Sequence, residues 1–84
     1  MDFKYTAVID GQTIFDVAMQ EYGNHLCVFI LQKDNLFWIS DLNSVLIGQT
    51  QLKIRKNLAE VEGARPKIVA HYATNGIKVI SNAL

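Results

Sequence analysis

Few residues in this chain could do covalent chemistry. His25 and His71 are its histidines and Cys27 its one cysteine. His25 and Cys27 are two apart, and side chains at that spacing do not face each other on a helix. Cys27 sits inside the apolar run "LCVFIL", where a thiol is usually buried and inert. Pairing it with His71 would need the fold to join distant segments, so spacing gives no case for an activated nucleophile. No CxxC, HxxxH or calcium-loop spacing occurs, and no metal ion is expected. The carboxylates Asp16, Glu21, Asp34, Asp41, Glu60 and Glu62 show no pairing pattern, and no Gly-rich phosphate loop follows a strand. The expectation is a protein with no catalytic residue and no cofactor.

Lys plus Arg number 8 and Asp plus Glu number 8, a formal net charge of zero. A groove that tracks a nucleic-acid backbone needs a basic excess, so nucleic acid is not an expected partner. Zero net charge also removes one aid to solubility and favours association. A single cysteine excludes a disulfide-stapled scaffold. The opening "MDFKYTAVID" has no long apolar stretch or small-residue cleavage site, and no run approaches the roughly 20 residues of a membrane span. The expectation is a chain made in the cytoplasm without a signal peptide, and not a membrane protein.

The elements that would position any site read as follows. Phe3 to Ile9 alternates and is rich in β-branched and aromatic residues, which predicts a strand over 3–9. Asp10-Gly11 supplies a turn. Thr13 is an N-cap with Asp16 three residues on, and Ile14, Val17, Ala18 and Tyr22 share one helical face, which predicts a helix over 13–22. Asp16 and Gln20 fall opposite that face, and Glu21 sits awkwardly beside it, so the last turn is expected to fray. Gly23 suits the residue after the helix. Asn24 caps a second helix, 25–34, apolar on every side from Leu26 to Leu31. "LFWISDLNSVLIGQT" is a loop with two large aromatics, and 51–56 alternates as a second strand. Residues 57–67 read as a polar linker. Residues 68–80 read as a hairpin around Asn75-Gly76, with Tyr72 opposite Val79 and Thr74 opposite Ile77. The domain plan is thus 1–56 as the core unit, 57–67 as a linker and 68–84 as a C-terminal hairpin extension.

"VIDGQTIFDVAMQEYGN", an apolar helix ending in "KDN", and "LNSVLIGQTQLKI" together resemble the LysM domain. That family has the form V-x-x-GDT-L-x-x-IA-x-x-x-YG-x, then N, then L-x-x-GQ-x-L-x-I. The resemblance covers residues 8–54. Gly11 and Thr13 match its first turn. Ile14, Ala18, Tyr22 and Gly23 match its first helix, and Leu46, Gly48, Gln49, Leu52 and Ile54 its last segment. Gln12 stands where the family usually has Asp, while Ile47 and Arg55 stand where it usually has Pro. The resemblance implies an α+β fold, strand-helix-helix-strand, with both helices on one face of a two-stranded antiparallel sheet.

Two functions follow from the resemblance. Wall-binding LysM domains hold N-acetylglucosamine polymers in a groove between the first turn and the loop before the last strand. Here that groove would comprise Gly11, Gln12, Thr13, Ile14, Leu46, Ile47 and Gly48. Gln12 and Ile47 change it, so weak or absent binding of chitooligosaccharide or peptidoglycan is expected. The other group is the small LysM-like proteins of contractile phage tails and related injection systems, which join tail tube to baseplate and often carry a short C-terminal extension. This second function is the favoured expectation: a structural adaptor in a virion or injection-system particle. Its partners would be other tail or baseplate proteins, in a homo-oligomeric ring or multi-copy assembly, with peptidoglycan the alternative. The expected interface is Leu36, Phe37, Trp38 and Ile39, with Tyr72, Ile77 and Val79 of the hairpin, since aromatics in an exposed apolar patch commonly anchor contacts.

Overall fold

The computed structural model describes residues 2–39 and 46–80. Residues 40–45, which carry the "LNSV" part of the LysM-like match, and residues 81–84, the end of the expected extension, lie outside the described residues. Among the described residues, two antiparallel strands and three α-helices make a small α+β domain. They are β1 (Phe3–Ala7), α1 (Ile14–Tyr22), α2 (Val28–Asp34), β2 (Gln51–Arg55) and α3 (Pro66–Thr74). A short 3₁₀ turn, His25–Cys27, leads into α2, so the second predicted helix starts in the tighter form.

β1 and β2 pair with Phe3 opposite Arg55 and Ala7 opposite Gln51. Period-two alternation on β2 buries Leu52 and Ile54 and turns Gln51 and Lys53 outward. On the open face Tyr5 is exposed, and the Lys53 ammonium lies 5.6 Å from the centre of the Phe3 ring. Asn35, just past α2, closes the other edge of β2. Its Nδ2 donates to Lys53 O (3.0 Å) and Leu31 O (2.9 Å), and its Oδ1 accepts from Lys53 N–H (2.8 Å). One side-chain amide thereby acts as a one-residue third strand.

α1 begins as its sequence requires. Thr13 accepts from Asp16 N–H and the Asp16 carboxylate accepts from Thr13 N–H, which completes a capping box. Gly23 ends it at φ 74°, donating to Met19 O. The last turn does not fray. Glu21 is buried, forms an ion pair with Lys4 at 3.0 Å and accepts from Gln20 Nε2 at 2.9 Å. Asp16 and Gln20, read as the solvent side, are also buried.

The stretch 57–67 is not a free linker. Val61 joins the core, with Leu58 and Ala64 packed beside it. Asn24 Nδ2 donates to Gly63 O (3.0 Å), Arg65 N–H donates to Tyr22 O (2.8 Å), and the Cys27 thiol lies 3.6 Å from Glu62 O. Arg55 grips Asp34 with two bonds of 2.8 and 3.0 Å. It thus ties the end of β2 to the end of α2.

In place of the hairpin expected at 68–80, residues 68–74 belong to helix α3, 75–76 form its stop and 77–80 are neither helix nor strand. Pro66 occupies the first turn of α3, where a fixed φ and a missing N–H cost nothing. Ile68, Val69 and Tyr72 recur at helical spacing and are half-buried, while Ala70, His71 and Ala73 are exposed. The Asn75-Gly76 signal has another use. Gly76, at φ 64°, donates to Ala73 O, and Ile77 N–H donates to Tyr72 O. This crossed pair is the Schellman helix stop, which needs the same left-handed glycine as a tight hairpin. Tyr72 and Val79 are therefore not cross-strand partners.

Tyr22 is fully buried, and its hydroxyl accepts from Arg55 N–H at 3.0 Å. Burial raises its pKa above the ordinary value. Since the folded value lies above the unfolded one, the contribution is complete below about pH 10 and is lost as pH rises beyond it. Tyr22→Phe is expected to cost about 1–2 kcal/mol at neutral pH by orphaning the Arg55 N–H. It should also flatten the alkaline fall of the urea midpoint. Parallel curves for both proteins from pH 7 to 11 would contradict this.

Candidate functional site

The first turn and the loop before β2 do meet. Gln12 N–H donates to Ile9 O to close the turn, Gly11 takes φ 90°, and Leu46 N–H reaches Gln12 O at 3.3 Å. Gly48 packs so tightly on the Asp10 carboxylate that a Cβ would collide with it. The residues proposed for a glycan groove divide. Gln12, Ile14 and Leu46 are buried, whereas Gly11 and Ile47 are exposed and Thr13 and Gly48 half-buried. Gln12 points inward because its amide has a structural task. Its Oε1 accepts from Ile9 N–H (3.1 Å), and its Nε2 donates to Gln20 Oε1 (2.9 Å) and to Val79 O (2.9 Å). Ile80 also lies close to Gly11, so the C-terminal segment runs beside one wall of the cleft.

The expected protein interface divides too. Ile39 is fully buried and belongs to the core, not to a surface. Leu36, Phe37 and Trp38 are exposed, Phe37 at 87%. The Phe37 and Trp38 rings pack edge to face, centroids 4.9 Å apart. Leu26 and Phe29 are each 62% exposed, the first in the 3₁₀ turn before α2 and the second in α2 itself. The segment apolar on every side therefore buries Cys27, Val28 and Leu31 in the core, packs Ile30 partly against it and leaves Leu26 and Phe29 exposed. Tyr72 and Val79 are half-buried and Ile77 just exposed, in the α3 region. Of the expected interface, Ile39 thus belongs to the core, and the other residues lie just after α2 and in or after α3.

A cavity of about 260 Å³ lies between β1, α1 and the chain after α3. Lys4, Thr6, Glu21, Tyr72, Ile77 and Lys78 are among its lining residues. Among the described residues, no group of His, Cys, Asp and Glu could hold a metal ion, and no helix is long and apolar enough to cross a membrane. Burial pushes the Cys27 thiol pKa up, away from thiolate reactivity.

Sequence reasoning missed Gln20 and Asn35, and gave Gln12 a surface role. The available signal was a polar row at four-residue spacing, Gln12, Asp16 and Gln20, along the start and body of α1. Such a row normally marks a solvated face. Nothing local says that its partner lies 59 to 67 residues away. No known family model, characterised protein or solved structure matches this chain.

Proposed function

We propose that this chain is a non-enzymatic structural adaptor with a LysM-like fold, of the kind that joins tail tube to baseplate in phage tails and contractile injection systems. The observation that carries the reading is the exposure of five large apolar residues in and beside α2, Leu26, Phe29, Leu36, Phe37 and Trp38, with the Phe37 and Trp38 rings in contact. Five such side chains in so small a domain bring a large loss of free energy to water and a matching gain on contact with a protein surface. Aromatic pairs of this type are the usual anchors of an interface. The β1-α1-α2-β2 order and the cleft between the first turn and the pre-β2 loop support the LysM-like part. The resemblance supports the class of particle.

The test is association. The chain is expected to self-associate in sedimentation velocity or to need a tail or baseplate component to remain soluble. Phe37→Ser combined with Trp38→Ser should weaken that association about thirtyfold or more while leaving the urea midpoint unchanged, because neither ring supports the core. A wild-type chain that stays monomeric at high concentration and captures no such component would sink the reading. Low-micromolar titration of the same sample by a chitin pentamer would instead favour glycan binding.

A further inference from the structure

The two edges of the β1–β2 pair are unlike. Lys56 N–H donates to Asp2 O at 3.0 Å and Val8 N–H to Thr50 O at 2.9 Å, which fixes the residues of β1 that bond β2. Bonded and non-bonded pairs alternate along an antiparallel ladder, so Lys4 and Thr6 face β2, while Phe3, Tyr5 and Ala7 turn their N–H and C=O away from it. β2 obeys the same rule, and its outer edge is capped. Lys53, opposite Tyr5, gives both backbone groups to the Asn35 amide, and Arg55, opposite Phe3, gives its N–H to the Tyr22 hydroxyl. Among the described residues, nothing bonds the outward backbone groups of Phe3, Tyr5 and Ala7. The chain after α3 does not take that place. Ile77 and Lys78 line the cavity of about 260 Å³ together with Lys4 and Thr6 and make no backbone bond to β1. Tyr5 and Ala7 are exposed.

An open edge accepts a strand that matches it, and β1 matches itself. Set antiparallel on a second copy with the two Tyr5 residues opposite each other, Phe3 meets Ala7, and every outward N–H and C=O of these three residues finds a partner. On the outer face a large side chain then meets a small one at Phe3 and Ala7. The two Tyr5 rings become neighbours, each flanked by the Lys53 of its own copy. On the inner face Lys4 meets Thr6, so no like charges stand opposite. A slip of the register one way would set Lys4 against Lys4. A slip the other way would call on the backbone of Ile9, whose N–H and C=O Gln12 already holds. Zero net charge adds no repulsion between copies.

We propose that the free edge of β1 pairs with β1 of a second copy about a twofold axis, so that two two-stranded sheets become one continuous sheet. This interface lies apart from Leu36, Phe37 and Trp38 and does not depend on the adaptor reading.

The test is amide exchange of the full chain across a dilution series, paired with sedimentation. The Tyr5 and Ala7 amides should exchange freely when dilute and about tenfold or more slowly when concentrated, while the Lys4 and Thr6 amides stay slow throughout. Tyr5→Pro removes an outward N–H but no bond between β1 and β2. It should keep a cooperative urea transition and weaken self-association about tenfold or more. If that variant does not fold, the wild-type amide series decides alone. A wild-type chain that stays monomeric, or that associates with no change at the Tyr5 amide, overturns the proposal. In the second case, loss of association in Phe37→Ser/Trp38→Ser leaves the adaptor surface standing. Slowed Tyr5 exchange that persists in that double variant supports edge pairing as a separate contact.

Discussion

Gly23→Ala is expected to lower the unfolding free energy by about 3 kcal/mol, or roughly 12–24 °C in melting temperature for a domain of this size. Two effects add. Gly23 sits at φ 74°, where a side chain costs about 1–2 kcal/mol. A methyl group there would also lie 2.6 Å from Arg65 O, 3.0 Å from Arg65 Cβ and 3.2 Å from Ile68 Cβ. The first contact is with backbone, which cannot swing aside as a side-chain tip can. It is further pinned, because Arg65 N–H is bonded to Tyr22 O. Relief would require lifting the start of α3 from the end of α1, and overpacking of this kind costs about 1–3 kcal/mol. Gly76→Ala is the internal control. It has φ 64° but open space around it, so only the torsional cost of about 1 kcal/mol applies. Urea denaturation of the two variants should separate torsion from collision, and equal losses would contradict the account.

Asn35→Ala is the second large effect, at about 2–3 kcal/mol. The substitution removes three hydrogen bonds and leaves Lys53 N–H, Lys53 O and Leu31 O short of partners. Asn35 is only 5% exposed, so water does not easily replace it. An orphaned buried group costs more than the net contribution of the bond that was lost. Asn35→Asp should be no better. It keeps an acceptor for Lys53 N–H but turns carboxylate oxygen toward two carbonyls. Hydrogen exchange at the Lys53 amide should accelerate in both variants, ahead of the rest of β2. A full-strength amide signal in Asn35→Ala would show that the edge of β2 does not depend on this residue.

Much of the core unit was legible because its signals are local. Thr13 with Asp16 starts a helix wherever it stands before an apolar face, and Gly23 ends one. Leu52 and Ile54 alternate with polar residues as a half-buried strand must. Other features failed for definable reasons. Asn75-Gly76 fits a type I′ hairpin turn and a Schellman stop equally well, because both need a left-handed residue. Pro66 and the spacing of Ile68, Val69 and Tyr72 decide for the helix, and the apparent alternation of Ile68, Ala70 and Tyr72 hid that. Within Leu36 to Ile39 no period distinguishes the buried isoleucine from its three exposed neighbours. Gln12, Gln20 and Asn35 carry amides whose backbone partners lie far along the chain, and hydropathy patterns read such residues as surface.

The buried thiol gives the fold a clock. Cys27 is 2% exposed and lies under Glu62, so a thiol reagent reaches it only when the 57–65 stretch opens or the whole domain unfolds. Opening removes the burial that raises its pKa, but an ordinary thiol is still mostly protonated at neutral pH, which slows the chemical step and helps keep opening and closing fast relative to labelling. Under those conditions the labelling rate reports the population of the open form. Compared with the global unfolding free energy, it gives the free energy of detaching that stretch alone. The one cysteine of the chain thus makes local opening of this segment measurable without adding a probe.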